Sequence, residues 1–527
     1  MMVGRINGFS APEWGFHRRS QPLIHLHQGS LLIGVHNREV VPRSITAPAP
    51  SPQILDCQIV SFLQILKLSS TWGPHGGAFS RILGMLISFE VKNYRSLRSS
   101  AHLSMLAQNS DVVMSSSLIK RNISSKNVEI TLVPSLAIYG ANGAGKTNII
   151  NAIDYVTDAV ARSHAFWEPD SGTRITQFAF GSGEENLSVF DVEFISNSIK
   201  YNYGFSCTPE MFCEEWLYSY PNNREKLIFE RNTDKLGNGK YKTIINYNQK
   251  AKEARNIKDC EKRVRENSLV VAAGAQDGQE AAKIVTDFFR NGIVVLQTTH
   301  PMEDLDVGFT SQLIDTAGYS DDVLRFIKVA DPRVKEILVK ERNQLEFFSR
   351  LEETLGQVPD YIKQINKYEV SFLYRKEDGT ETSLDFYDQS RGTKRLYGLS
   401  GWIASSLLHG RALVIDELES SMHTHLCQFI IELFQNPETN PRGAQIIFTT
   451  HDTNILDADI LRRDQIWFAE KGNIGDTYLY PLTDYSPRKD ENLQKGYLRG
   501  RYGAIPALGL SEAWLKKEKT QPDSEGH

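Results

Sequence analysis

From Met85 the chain alternates. Ile87, Phe89 and Val91 fall between Ser88, Glu90 and Lys92, the period of two expected of a half-buried strand, and Asn93-Tyr-Arg-Ser96 reads as its closing turn. Residues 136–139 are an unbroken apolar run, the pattern of a fully buried strand, and Asn148-Ile-Ile-Asn-Ala-Ile153 reads as a helix opening. Strand-like segments at 187–194, 200–205, 215–220 and 226–231 predict a small antiparallel sheet decorating that core. From about 250 to 367 the pattern turns helical and charged, as at 281–290, 321–330 and 334–353, and predicts a helical insertion whose charges are solvated faces. The sheet pattern resumes near Tyr368, and two further apolar runs, at 412–415 and 444–448, end in polar residues.

Residues 1–84 are unlike the rest. Seven basic residues stand against three acidic, and no periodicity persists, so this stretch is expected to be a poorly ordered extension or a misplaced start. An Arg/Ser-rich, acid-poor leader also suits a transit peptide. The remaining chain divides into 85–249, 250–367, 368–510 and a polar tail at 511–527. At 527 residues there is ample length for full cores, and 40% hydrophobic with 23% charged residues is ordinary for a soluble globular protein. A net charge of −5 argues against a uniformly basic nucleic-acid binder, though not against a local basic channel. The five cysteines form no CxxC pair or metal spacing, and no run approaches the ~18–20 apolar residues of a membrane-spanning helix. A soluble, cytoplasmic protein without a membrane partner is the expectation.

The candidate chemistry starts between the 136–139 strand and the helix at Asn148. Gly140-Ala-Asn-Gly-Ala-Gly-Lys-Thr147 sits in the strand–loop–helix order that a phosphate-binding loop requires. Gly140 and Gly145 permit dihedrals closed to other residues. The amides through Asn142, Gly143, Ala144 and Gly145, with Asn148 at the helix opening, direct positive dipole at an anion. Lys146 is placed for the β- and γ-phosphates and the Thr147 hydroxyl for Mg²⁺, so the expected ligands are ATP and Mg²⁺.

Arg411-Ala-Leu-Val-Ile-Asp-Glu-Leu418 is an apolar strand ending in two carboxylates. Asp416 is placed to hold Mg²⁺ through water, and Glu417 to orient and deprotonate the attacking water. An acid pair at a strand end is otherwise a solvated loop, a reading the phosphate loop in the same chain weakens. Ala444-Gln-Ile-Ile-Phe-Thr-Thr-His-Asp452 puts His451 at another strand end, where it could reach the γ-phosphate as a switch or sensor. A lone histidine is usually structural, but this placement resembles that of ABC-type ATPases. Ser390-Arg-Gly-Thr-Lys-Arg-Leu396 occupies the place of an ABC signature loop. The Ser390 hydroxyl, the flexible Gly392 and the helix N-terminal amides at Thr393 suit the γ-phosphate of a nucleotide held by another protomer. With Ser420-Ser-Met-His423 in the place of a D-loop, ATP would be sandwiched between two copies.

This order of motifs is similar to that of ABC-type ATPases such as SMC and RecF proteins. More closely, the chain resembles the RloA-type, AAA/ABC-like ATPases of bacterial anti-phage and abortive-infection loci, related to the ATPase half of OLD-family proteins. The residues that carry this are Leu86-Ile-Ser-Phe-Glu-Val-Lys-Asn-Tyr-Arg-Ser96, Glu214-Glu-Trp-Leu-Tyr218, Arg265-Glu-Asn-Ser-Leu269, Val414-Ile-Asp-Glu-Leu418, Phe448-Thr-Thr-His-Asp-Thr453, Leu461-Arg-Arg-Asp-Gln-Ile-Trp-Phe468 and Gly496-Tyr-Leu-Arg-Gly-Arg-Tyr-Gly-Ala-Ile-Pro506. One departure is Arg391, where an acidic or small residue is the pattern.

The resemblance implies an α/β fold, an ABC-type P-loop ATPase head with an antiparallel β subdomain and a helical insertion. It implies an ATP-hydrolysing switch that dimerises head to head and regulates a separate RloB-like nuclease of TOPRIM type. OLD proteins carry that nuclease after the ATPase, but only about 75 residues follow His451 here. Asp304-Leu-Asp306 and Asp457-Ala-Asp459 resemble nuclease metal pairs but are read as chance matches. The competing readings are a RecF/SMC-type repair or chromosome-maintenance ATPase acting directly on DNA, and a self-contained nuclease; nucleic acid stays open as a partner.

Overall fold

Alternation becomes strand where it is expected. Met85–Lys92 (β1) pairs with Ala101–Ser104 (β2) across the Asn93–Ser96 turn, in which Asn93 and Arg95 take φ of 53° and 49°. Ile119–Ile123 (β3) and Val128–Leu132 (β4) form a ladder of their own, and Ser135–Tyr139 (β5) is buried along its whole length. Ser188–Ser196 (β6), Ile199–Cys207 (β7), Phe212–Ser219 (β8), Lys226–Lys235 (β9) and Tyr241–Tyr247 (β10) then meander into a seven-stranded antiparallel sheet, ordered β10-β9-β8-β7-β6-β1-β2. The computed structural model describes residues 84–108, 115–123, 128–181, 187–236, 241–297, 303–341, 368–457, 459–488 and 491–505. The leader before Gly84, the 342–367 part of the insertion and the tail at 511–527 lie outside the described residues.

The segment 250–367 is not wholly helical. Val270–Gln276, Glu280–Asp287, Glu303–Ala317 and Ser320–Ala330 are helices, but Ile293–Leu296 (β11) is an edge strand of the core sheet. Val334–Glu341 (β12), expected inside a helix reaching residue 353, is also a strand. Its lysines and glutamates look like a solvated helix face, whereas Val334 and Ile337 are buried and the backbone is paired by Tyr368–Arg375 (β13). β13 does not rejoin the earlier sheet either. It is the middle of a separate three-stranded sheet with β12 and Glu381–Asp385 (β14).

Ala412–Ile415 (β15), Gln445–Thr450 (β16), Ile466–Lys471 (β17) and Thr477–Pro481 (β18) complete a six-stranded sheet ordered β11-β15-β16-β5-β17-β18. All its pairings are parallel except β17 with β18. The pleat divides the core in two. Leu136, Ile138, Val414 and Ile447 pack with the Lys146–Arg162 helix and the antiparallel sheet. Ala137, Tyr139, Leu413, Ile415, Ile446 and Phe448 pack on the other side with the Arg391–His409 and Thr424–Gln435 helices. The fold is the expected α/β head with its antiparallel subdomain. Among the described residues, no helix is long and apolar enough to cross a membrane.

Two buried polar ties hold the layers in register. Glu215 of β8 accepts the Val270 and Val271 N–H groups at 2.6 and 3.1 Å and lies 3.8 Å from the equally buried Arg231 of β9. Burial raises the Glu215 pKa and lowers that of Arg231, and each charge opposes the other's shift. Arg231 also donates to the Arg265 carbonyl, while Arg265 donates to the carbonyls of Ser163, His164 and Trp167 just past the Lys146–Arg162 helix. The resembling stretches 214–218 and 265–269 therefore anchor that helix to the sheet. In the second tie, the Gln445 side chain accepts the Leu86 N–H at 2.8 Å and donates to the Leu86 carbonyl at 2.9 Å, joining β16 to β1 beside a break in the β1–β6 register. Gln445→Met, similar in size but without the amide, is expected to lower stability by about 1–3 kcal/mol. A urea unfolding midpoint equal to wild type would rule out this stitching role.

Candidate nucleotide-binding site

Because β11, β15, β16 and β5 are parallel neighbours, their C-terminal ends share one edge, the usual ligand side of such a sheet. Gln297, Asp416, His451 and Gly140 each follow one of these ends. The loop after β5 is closely packed from outside. A Cβ on Gly140 would meet the Ala469 carbonyl oxygen at 2.4 Å, and Gly145 combines φ 103° with Thr477 Oγ1 at 2.0 Å from its would-be Cβ. Only glycine fits Gly145 on both counts. Asn142 and Gly143 are exposed on the loop, and the Ala144 carbonyl accepts the Thr477 hydroxyl. The Asn148 side chain donates to Ser96 Oγ at 2.7 Å, so it braces the β1–β2 turn.

Lys146 is buried. Its Nζ donates to the carbonyls of Gly140 and Ala141 at 2.9 and 3.2 Å and lies 2.9 Å from His451 Nε2. An ammonium has no lone pair, so the imidazole accepts through Nε2 and carries its proton on Nδ1. Burial lowers the Lys146 pKa to about 8, against the carboxylates of Glu419, Asp416 and Glu417. Burial, then the Lys146 charge, lowers that of His451, which favours the neutral ring this bond needs.

Asp416 is 1% exposed. Thr147 Oγ1 donates to its Oδ2 at 3.0 Å and Thr449 Oγ1 to its Oδ1 at 2.7 Å, while the Glu417 N–H donates to Thr449 Oγ1 at 2.7 Å. Thr147 and Asp416 together offer the hard oxygen ligands that suit Mg²⁺. The chain turns sharply after Asp416, with Glu417 at φ 50°, and its side chain is partly exposed beside the aspartate. Lys146, Thr147, Asp416 and His451 are thus brought together, with Glu417 next to them.

The other predicted group makes local contacts of its own. Ser390 caps the Arg391–His409 helix by accepting the Thr393 N–H at 3.1 Å. Gly392 faces the Ser421 carbonyl, which a Cβ would meet at 2.9 Å. Among the described residues, no hydrogen bond joins Ser390, Gly392 or Thr393 to residues 140–148. Arg462, Arg501 and Asp306 have structural partners. Buried Arg462 bonds both oxygens of Asp464, Arg501 pairs with Glu491, and Asp306 accepts the Trp402 indole N–H and pairs with Arg395. The 500–505 run packs Tyr502 on Phe468 and bonds Tyr480 and Tyr497, bracing the β5–β17 side of the core.

Sequence reasoning passed over Gln297 and Thr449. Gln297 is buried at the end of β11, where the Asp416 N–H donates to the Leu296 carbonyl, and its amide donates to Asp154 at 2.9 Å. The sequence repeats Thr-Thr-His at 298–300 and 449–451 after apolar runs, but Gln297 has no counterpart in the second stretch, and residues 298–300 lie outside the described ones.

Residues 135–255 and 302–457, just over half of the chain, match the family described as "AAA domain, putative AbiEii toxin, Type IV TA system". The chain belongs to this AAA-domain family. No curated protein matches this AAA-domain chain. Among solved structures it is similar to the SMC head domain from Thermotoga maritima, at 14% identity and TM-score 0.35 over 75% of this chain and 98% of that one. It is also similar to an SMC head bound to the C-terminal winged-helix domain of ScpA, at 13% identity and TM-score 0.39 over 75% and 97%. A third is the Pyrococcus furiosus SMC head with an extended coiled coil, bound to the ScpA C-terminal domain, at 10% identity and TM-score 0.36 over 80% and 99%.

Thr449 links Asp416 to the Glu417 turn through one hydroxyl. Thr449→Val keeps the shape and removes both bonds, so a stability loss of about 1–3 kcal/mol is expected by thermal or denaturant unfolding. A fully stable variant would mean the turn holds its geometry without this hydroxyl.

Proposed function

We propose that this protein is a Mg²⁺-dependent ATPase working as a switch, closing as a dimer around ATP and reopening on hydrolysis. The observation that carries this is the direct joining of Lys146, Thr147, Asp416 and His451 at one strand edge, with Glu417 on the adjoining turn. Lys146 and the loop amides of residues 142–148 would hold the phosphates. When bound, Mg²⁺ would supply charge neutralisation at the phosphate oxygens, with Thr147 and Asp416 as its holders. Glu417 would orient the attacking water and take its proton, and neutral His451 would report on the γ-phosphate. That Ser390 caps a helix with Gly392 and Thr393 in its first turn, with no hydrogen bond to this chain's own loop among the described residues, supports their use on a second copy's nucleotide.

We read the biological role as anti-phage defence in the cytoplasm, with a separate RloB-like nuclease under the switch's control. The RloA-like motifs and a family description that names a toxin of a type IV toxin–antitoxin system support this reading. The test compares three proteins. Lys146→Ala should lose ATP binding. Glu417→Gln should bind ATP, lose about 10²–10⁴-fold in hydrolysis and accumulate as a dimer in light scattering. Wild-type turnover by Glu417→Gln would remove Glu417 as the base. ATP hydrolysis stimulated by DNA ends, with no partner present, would favour the RecF/SMC reading.

A further inference from the structure

Glu419 belongs to none of the motifs above, yet its carboxylate is turned into the site. The reversal at Glu417 is closed by the Leu418 N–H on the Thr449 carbonyl at 3.1 Å and the Ser420 N–H on the Glu417 carbonyl at 2.9 Å. The Met422 N–H then donates to the Glu419 carbonyl at 2.9 Å. This turn carries Glu419 back over the end of β16, where its Oε1 accepts the backbone N–H of His451. Its Oε2 is buried and has no hydrogen-bond partner among the described residues. His451 in turn presents Nε2 to Lys146 at 2.9 Å.

We propose that Glu419 is a positioning residue: by accepting the His451 N–H it fixes the loop after β16 and holds the imidazole against Lys146, where the γ-phosphate is to be read. This rests on the ATPase reading above. A strand-end histidine has no further ladder partner to fix its backbone, and here the side chain from the neighbouring strand's turn supplies one. The role needs an acceptor oxygen at that point. It does not need a proton acceptor for the reaction.

The test is steady-state ATP hydrolysis by the full-length wild type, Glu419→Gln, Glu419→Ala, His451→Ala and the Glu419→Ala/His451→Ala pair, with thermal midpoints recorded for each. Glu419→Gln keeps an oxygen that accepts the same bond. The expected result is a loss of about ten- to a hundredfold in kcat for Glu419→Ala, KM within about threefold, and Glu419→Gln within about threefold of wild type in both. The double variant should be no slower than His451→Ala alone, because both changes remove one arrangement. Should Glu419→Ala fail to fold, Glu419→Asp, one methylene shorter, replaces it with the same expected loss. Wild-type kcat in the Ala or Asp variant, or additive losses in the pair, would overturn the proposal. So would a Glu419→Gln protein as slow as Glu419→Ala, since the carboxylate itself would then act in the chemistry. A wild type without turnover would overturn the ATPase reading and this role with it, whereas a failure confined to the Glu419 variants strikes this role alone.

Discussion

Parallel pairing of β15, β16 and β5 is the constraint on which the rest of the structure depends. Three strands that are distant in sequence end together, and each hands over to a polar residue at the same edge. An antiparallel β16 would have put His451 at the opposite end of the sheet from Asp416 and the phosphate loop. Both faces of a parallel sheet must be covered, and here the covers differ in kind. One face takes the Lys146–Arg162 helix and the antiparallel sheet behind it; the other takes the helix whose first turn holds Ser390. The packing requirement thus distributes the candidate chemistry.

The polar groups at the edge are expensive to bury and are nearly all accounted for. Asp416 accepts from two threonine hydroxyls, one from the phosphate loop and one from β16, so these bonds report the alignment of three strands. Lys146 is satisfied by carbonyls of its own loop and by His451. A shift of β16 against β5 would break the Lys146–His451 bond, and one against β15 the Thr449–Asp416 bond. The positive φ at Glu417 belongs to the same economy, because the turn is pinned to Thr449 on either side of the residue.

Much of this was legible beforehand, and the reason is local. β5 and β15 carry short apolar runs, 136–139 and 412–415, followed at once by a glycine or by acids in the order that a phosphate loop and its partner strand require. The antiparallel strands at 187–231 were legible from alternation. What escaped depends on partners far away in sequence. Ile293–Leu296 is four residues long and follows directly on helical turns, so its pattern could equally belong to them. β12 carries its charges on an exposed side of a small sheet, where they imitate a helix surface. Gln297, Thr449 and Glu419 are ordinary polar residues until strand order and one sharp turn place them. The particular run at 500–506 was legible as a family mark, while its part in the fold, aromatic packing against Phe468 with carbonyls held by Tyr480 and Tyr497, was not.

The order of strands also sets a timetable for synthesis. β1 and β6 to β10 all lie within the first half of the chain and pair only among themselves and β2, so that sheet, with the Lys146–Arg162 helix against it, can assemble as the ribosome works. β5 cannot join its own sheet then, since its neighbours are β16 and β17, more than three hundred residues downstream. At roughly 5–20 residues per second that is a wait on the order of tens of seconds. Through that interval the apolar 136–139 run is without its sheet neighbours, and the antiparallel layer, whose strands are by then complete, offers the hydrophobic face it packs on in the finished fold. The phosphate loop is therefore made in the first third of the chain, while the strands that flank it come only in the last fifth.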